Sequence, residues 1–536
     1  QTTCSHETSP VLKTTHGLVR GALLKSIYDD PYYAFDGIPF AQPPLGELRF
    51  KEPLDATPWS GILDCLELRE KCLQANKQTL EIEGSEDCLY LNVAAKKLKS
   101  DKPLPVMVYV YGGAFHRGDA TRRLFSPEYL MREDVVYISI GFRVGPFGFL
   151  SFADPAVGLP GNAGLKDCIL ALKWIKANAS VFNGDVHNIT IFGHSSGSMM
   201  CQLLAICPQT EGLFHKYMLL AGFTPEMNRL PDIEYRLAKE CGYEGENIDA
   251  AVFEFIKNAD PHAVARANIL RGEEKLHSTT LLTCTPNVEA YETPNAVILA
   301  EPRILQRTAW SNRIPLLVGC TTGEGLALSP NIVEFFQSQP WVLLPKSLIL
   351  HTAGEQRNQL GRTQLEHFCR TSLSEVSADH HRTLQDMYTL NLMHGFHRLI
   401  NARLTYGQAA NYLYRFDVES PDFNFARIRY KGEFGAYHAE ELSYLFKLPT
   451  AFRLDESRSE YATIWRMVAM FTEFARRSNP NAALTQPLVD WQPILSKDGP
   501  RMCLNISDDL DCRPQPELEQ LQFYDKLFQQ AGLELI

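Results

Sequence analysis

A chain of 536 residues with 45% hydrophobic and 21% charged residues has the make-up of a globular protein with a large core, which excludes a disordered or fibrous chain. Its net charge of -11 and pI near 5.8 argue against nucleic acid as a partner, because a phosphate backbone is gripped by a basic surface. No stretch reaches the roughly 18 apolar residues of a membrane-spanning helix, so no transmembrane segment is expected.

Length alone suggests roughly three or four domains. No Gly/Ser linker, charge block or internal repeat offers a place to cut, so residues 1–536 read as a single domain. Gln1 is not methionine and no charged-then-apolar leader precedes Gly21, so residues 1 to about 20 read as an N-terminal extension that has been truncated or processed. Thirteen cysteines, most without framework spacing, point to a reducing compartment and outweigh the sequons at Asn178, Asn188 and Asn505, which point to a secreted one, so an intracellular, cytoplasmic protein is expected, membrane-associated if a missing N-terminal segment anchors it. No Cys/His cluster has metal-ligand spacing and no phosphate-binding loop is present, so neither metal nor cofactor is expected.

The first hundred or so residues read as short strands broken by Gly37-Ile38-Pro39, Gln42-Pro43-Pro44 and Pro58-Trp59-Ser60-Gly61. Two continuous apolar runs follow, Pro105 to Val110 and Val135 to Ile140, as expected of parallel strands covered on both faces. Ala163 to Phe182 has helical spacing, Asn188 to Phe192 reads as a buried strand, and further strands are expected at Tyr217 to Ala221, Pro315 to Gly319 and Asn411 to Phe416. Ser457 with Glu460 predicts a capping box opening a helix that Asn479-Pro480 ends, and Pro516 to Gly532 predicts a final amphipathic helix. Strands alternating with helices give an α/β class, with ligands at the carboxyl ends of the strands.

Gly193-His194-Ser195-Ser196-Gly197 fits G-x-S-x-G between a strand and a helix, the sharp turn that presents a nucleophilic serine. A serine hydroxyl needs a histidine to take its proton and a carboxylate to orient that histidine. Glu324, in the glycine-flanked turn after the Pro315 strand, fits the acid. His438, in Phe434 to Leu442 downstream of the Asn411 strand, fits the base. Each alone would more often be an ordinary surface or loop residue. Tyr111-Gly112-Gly113-Ala114-Phe115 follows the Pro105 strand where a second oxyanion donor belongs.

With these go Gly37 to Pro44, Gly46-Glu47-Leu48-Arg49-Phe50, Ser85 to Val93 and Gly161 to Asp167. Together they resemble the type-B carboxylesterases of the α/β-hydrolase fold, and most of all the alpha-esterases of insects. The resemblance implies a large, mostly parallel sheet covered by helices on both faces, with a small antiparallel N-terminal sheet. It implies a triad of Ser195, Glu324 and His438 and an oxyanion hole of the Gly113, Ala114 and Ser196 main-chain N–H groups. It further implies ion pairs Arg49–Glu86 and Arg143–Asp167 and a Cys72–Cys88 disulfide.

Five positions depart from that family's pattern: His194 for Glu, Ala221 for Ser, Gly141-Phe142 for Asn-Tyr and Glu440 for Asp. The implied activity is hydrolysis of a largely uncharged, hydrophobic small-molecule ester through an acyl-enzyme, as in detoxification, by a monomer or homodimer. The alternative is a slow sequestering protein that is acylated or phosphorylated once and stalls.

Overall fold

The computed structural model describes residues 7–76, 79–227, 231–268, 284–328, 331–430, 435–481 and 489–535. Among the described residues fifteen strands occur in chain order: β1 Leu12–Lys13, β2 Leu18–Lys25, β3 Pro31–Pro39, β4 Ile62–Cys65, β5 Gln74–Ala75, β6 Ile82–Glu83, β7 Tyr90–Ala95, β8 Leu104–Val110, β9 Val136–Ile140, β10 Gly184–His194, β11 Lys216–Leu220, β12 Leu316–Thr321, β13 Asn411–Phe416, β14 Met502–Ile506 and β15 Leu510–Pro514. Thirteen of them make one sheet in the order β1-β2-β3-β7-β9-β8-β10-β11-β12-β13-β14-β15, with β4 beside β2. From β9 through β8 and β10 to β14 every pairing is parallel. The N-terminal strands β1, β2, β3 and β7 join antiparallel at one edge. The chain therefore joins the large sheet from Leu12 onward, β5 and β6 pair in a separate antiparallel two-stranded sheet, and residues 1–6 lie outside the described residues.

The parallel core forms because its strands are apolar on both faces. Every residue of β8, β9, β11 and β12 is buried. Helices cover them: α1 (Ala163–Asn178), α2 (Ser196–Ile206), α3 (His381–Tyr406), α4 (Ser459–Arg477) and α5 (Leu518–Gln530). The register aligns the strand ends. Gly193 sits opposite Val110, His194 opposite Leu220, Leu220 opposite Gly319, and Thr321 opposite Phe416. The turns that follow β8, β10, β11 and β12 therefore meet at one edge of the sheet, where ligands of such sheets bind.

The start of α4 differs from the expected capping box. The helix begins at Ser459 with Arg458 as its cap residue and no side-chain cap bond. Ser457 instead bonds the Asp455 carboxylate, and Glu460 accepts from Ser420 Oγ at 2.6 Å and Arg458 Nη2 at 2.7 Å. A nearby guanidinium and hydroxyl outcompete the local cap. The three sequon asparagines are tied into the fold: Asn178 is fully buried, Asn505 is buried, and Asn188 donates to the Arg476 carbonyl at 3.0 Å. Among the described residues no helix is long and apolar enough to cross a membrane.

Candidate active site

At the end of β10 the chain turns into α2 at Ser195, with φ 57° and ψ -125°, a conformation a residue with a side chain holds only when its surroundings impose it. Two bonds impose it here. Ser195 N–H donates to Leu220 O on β11 at 2.8 Å, and Ser195 O accepts from Met199 N–H at 3.1 Å in the first turn of α2. The flanking glycines make the bend sterically feasible: a Cβ on Gly193 would lie 2.4 Å from Gly197 O, and one on Gly197 would lie 2.1 Å from Val110 O. From Gly193 to Gly197, Ser195 alone is not buried.

Glu324 opens a 3-10 turn, Glu324–Ala327, just past β12. Its Oε1 accepts from both the N–H and the hydroxyl of Thr321 at 2.9 Å. Oε2 remains for the His438 ring, which donates to it through Nδ1. That bond leaves the Nε2 lone pair of a neutral imidazole free to accept a proton. The two loops are fastened to each other and to α3, through a parallel bridge between Gly323 and Tyr437 and a 3.0 Å bond from Gly325 N–H to Thr389 Oγ1. Phe434, the first residue of the expected histidine loop, lies outside the described residues.

His194, the residue before Ser195, packs on the catalytic candidate: its ring centroid is 4.6 Å from that of His438, with the planes inclined by 44°. This contact brings the Glu324–His438 pair against the serine turn. Behind it, His194 Nε2 lies 3.8 Å from Glu441 Oε1. Burial, with the neighbouring His438, pushes His194 well below its ordinary range. Burial, with the charge of Glu324, pushes Glu441 well above its own. The contact therefore joins two groups driven toward their neutral forms rather than an ion pair.

On the other side of Ser195, the Gly112-Gly113-Ala114 turn leaves β8 with Gly113 at φ 149° and Ala114 at φ 57°. Ser196 is the first residue of α2, so its N–H belongs to the unpaired first turn of the helix. Among the described residues, the Ala114 and Ser196 N–H groups have no acceptor. The Gly113 N–H does: it donates to Ser196 Oγ at 2.9 Å. One of the three expected oxyanion donors is thus held by a side chain of the nucleophile turn.

The surrounding shell fixes these turns. Arg143 and Asp167, 2% and 0% exposed, pair through Nε–Oδ2 at 2.9 Å and Nη2–Oδ1 at 2.6 Å. Arg49 grips Glu86 in the same two-pronged way at 2.6 and 2.8 Å. Cys72 and Cys88 form a disulfide, and Gln74 inside that loop bonds both the N–H and the carbonyl of Gly118 at 2.8 Å, bracing the segment that follows the Gly112-Gly113-Ala114 turn. Cys168, Cys201 and Cys207 are buried free thiols. A cavity of about 150 Å³ begins at Phe223, next to Gly222, whose backbone is pressed on Ser195: a Cβ there would lie 2.0 Å from Ser195 O. Among the described residues no cluster of His, Cys, Asp and Glu is placed to hold a metal ion.

Sequence reasoning singled out Ser195, Glu324 and His438 from their turns, of which the structure bonds His438 to Glu324, but it passed over three neighbouring groups. The Ser196 hydroxyl was legible only as a polar residue where a smaller one would serve. Glu441 lay unremarked in the histidine loop, and Gln74 gave no signal.

The chain matches a family model described as "Carboxylesterase family" over residues 8–524. It is 31% identical over 533 residues to Esterase B1 of Culex pipiens, covering 97% of this chain and 98% of that one. It is 29% identical over 514 residues to Juvenile hormone esterase of Tribolium castaneum, covering 89% and 85%. Among solved structures, that of Juvenile Hormone Esterase from Manduca sexta with OTFP covalently attached superposes with a TM-score of 0.83 at 26% identity, covering 98% of this chain and all of the other.

Proposed function

This chain belongs to the carboxylesterase family and is a carboxylic-ester hydrolase of the α/β-hydrolase fold; from that premise we propose that Ser195, His438 and Glu324 are its catalytic triad. Ser195 Oγ attacks the ester carbonyl while His438 Nε2 takes its proton. Glu324 holds the ring by Nδ1 and stabilises its cationic form, and the N–H groups of Gly113, Ala114 and Ser196 receive the oxyanion. His438 then protonates the departing alcohol, and the same base activates the water that releases the acid. The observation that carries the reading is the Nδ1 bond from His438 to Glu324 on a ring that also packs against His194, Ser195's neighbour. The covalent adduct named for the Manduca sexta relative accords with an acyl-enzyme. The substrate is an ester with a mainly apolar body, matched to the Phe223, Leu344, Ile349 and Leu392 side chains of the adjoining cavity, and the reaction needs no cofactor.

A second reading, slow turnover with sequestration, is favoured by one contact: the Ser196 Oγ that occupies Gly113 N–H. Stopped-flow hydrolysis of p-nitrophenyl esters by the wild type and Ser195→Ala separates the two. Steady turnover abolished by the substitution supports the esterase. A burst of one equivalent followed by little turnover supports sequestration. Turnover that survives Ser195→Ala overturns the triad.

A further inference from the structure

The cavity that begins at Phe223 has apolar walls and a charged end. Lys346 and Arg398 both line it, together with His394, and no carboxylate does. The two cations differ in what they already hold. Arg398 donates through Nη1 to Ser347 Oγ at 2.8 Å and through Nε to Leu535 O at 3.2 Å, and its guanidinium lies 4.4 Å from the Phe528 ring centre. Lys346 is part-buried and makes no hydrogen bond or ion pair among the described residues. Burial draws its ammonium down to about 8, and Glu226 and Glu301 act to keep it charged.

Neither carboxylate makes a hydrogen bond or ion pair with Lys346 among the described residues, and Glu226 Oε2 is itself buried without a partner there. Glu226 Oε1 faces Arg303 Nε at 3.3 Å and His351 Nε2 at 3.2 Å, and Glu301 accepts from Met227 N–H at 2.7 Å. A cation taken partly out of water with carboxylates near it but none bonded to it is incompletely balanced, and a directly bonded anion supplied from outside would complete it. The cavity wall begins at Phe223, one residue after Gly222, which packs on the Ser195 carbonyl, and the arm of a bound ester is the group that the esterase reading places in it.

We propose that Lys346 is a specificity residue that receives a terminal carboxylate on one arm of the ester, so that half-esters of dicarboxylic acids, or esters of hydroxy acids, are preferred over uncharged esters of the same size. This rests on the esterase reading above and narrows it: the apolar body of the substrate ends in an anion. A lone Nζ–carboxylate contact in a part-buried site discriminates through the unpaired cation left behind when the substrate lacks the anion.

Two matched pairs of esters test the assignment. One pair carries the carboxylate on the acyl side, as the p-nitrophenyl monoester of adipic acid. The other carries it on the alcohol side, as the acetate ester of a six-carbon hydroxy acid. In each pair the neutral member has an isopropyl group in place of the carboxylate. For at least one pair the wild type should prefer the anionic member in kcat/KM. Lys346→Met should lower that anionic-to-neutral ratio by about tenfold or more, and Lys346→Arg should largely keep it. A wild type that prefers the neutral member of both pairs overturns the assignment, whether or not the variants fold. So does a ratio that Lys346→Met leaves unchanged while the neutral esters are turned over, and in that case the esterase reading stands. Turnover of no ester by the wild type overturns both.

Discussion

His194 and His438 pack ring on ring at 4.6 Å between centroids, and the far nitrogen of His194 faces Glu441 across 3.8 Å. The base of the candidate triad is thus backed by a histidine and a carboxyl that burial, first of all, drives toward their neutral forms. A neutral group behind His438 suits the proposed mechanism, since a fixed positive charge there would oppose the imidazolium that this mechanism forms.

The same burial makes stability depend on pH in a predictable sense. His194 has a lower pKa folded than unfolded, so below about 6.5 the unfolded chain takes a proton that the folded chain refuses, and stability is lost as pH falls. His194→Gln should flatten that loss by up to about 1.4 kcal/mol per pH unit. Glu441 runs the other way: its folded pKa is raised, the folded state holds the extra proton above about 4.5, and stability from this group falls as pH rises. Glu441→Gln should steepen the acid loss. Urea unfolding followed by tryptophan fluorescence at several pH values reads both slopes, and slopes changing in the same direction would contradict this account.

Ser196 sets a second expectation. Its Oγ accepts the Gly113 N–H at 2.9 Å, so an oxyanion must displace a hydroxyl before it gains that donor. One oxyanion-hole donor contributes about 10²–10³ in kcat, and partial competition should cost a fraction of that. Ser196→Ala is expected to raise kcat for p-nitrophenyl acetate by about three- to tenfold. A fall in kcat would mean instead that the hydroxyl itself donates to the oxyanion.

How much of this was legible in the sequence depends on the range of the forces involved. The strands around Val108, Ile138 and Leu317 are apolar on both faces and announce themselves. The turns at Ser195 and Gly113 carry glycines that the backbone demands. The Arg143–Asp167 and Arg49–Glu86 pairs were reached through family resemblance, because nothing local links residues so far apart. The cap of α4 was misread for the opposite reason: Ser457 and Glu460 satisfy a local rule, but Ser420 and Arg458 hold Glu460 more tightly. Lys346 was invisible because a lysine in an apolar run reads as an exposed break in it. Only the fold shows that its surroundings are a cavity.

Glu324 is expected to matter through orientation rather than fold. Thr321 anchors one of its oxygens and His438 Nδ1 takes the other. Glu324→Gln would keep the shape but offer an amide that favours the wrong tautomer, and kcat should fall by about four orders of magnitude. Circular dichroism and a thermal melt near the wild-type values would separate this from unfolding. A loss of less than about tenfold would remove Glu324 from the triad.

The Cys72–Cys88 bridge closes a loop with a sequence separation of 16, for which loop closure implies about 3 kcal/mol. The double change Cys72→Ser/Cys88→Ser should lower the melting temperature by calorimetry. Because Gln74 in that loop holds Gly118, activity should fall below the melt as well. An unchanged kcat in the folded double variant would show that the oxyanion turn does not depend on the loop.

Asp167 gives the sharpest test of the scaffold. Its carboxylate, fully buried on α1, takes three bonds from Arg143: from the main-chain N–H at 3.0 Å, from Nε at 2.9 Å and from Nη2 at 2.6 Å. Arg143 Nη1 has no acceptor among the described residues, so the guanidinium relies on this one partner. Asp167→Asn leaves the cation buried without its anion, and the expected loss is about 3–5 kcal/mol. Removing both charges in Arg143→Met/Asp167→Leu should cost less than the single change, because the desolvation penalty disappears with the attraction. Urea denaturation of the two variants decides the matter. If the double variant were the less stable of the two, the pair would be a net source of stability rather than a matched set of buried charges.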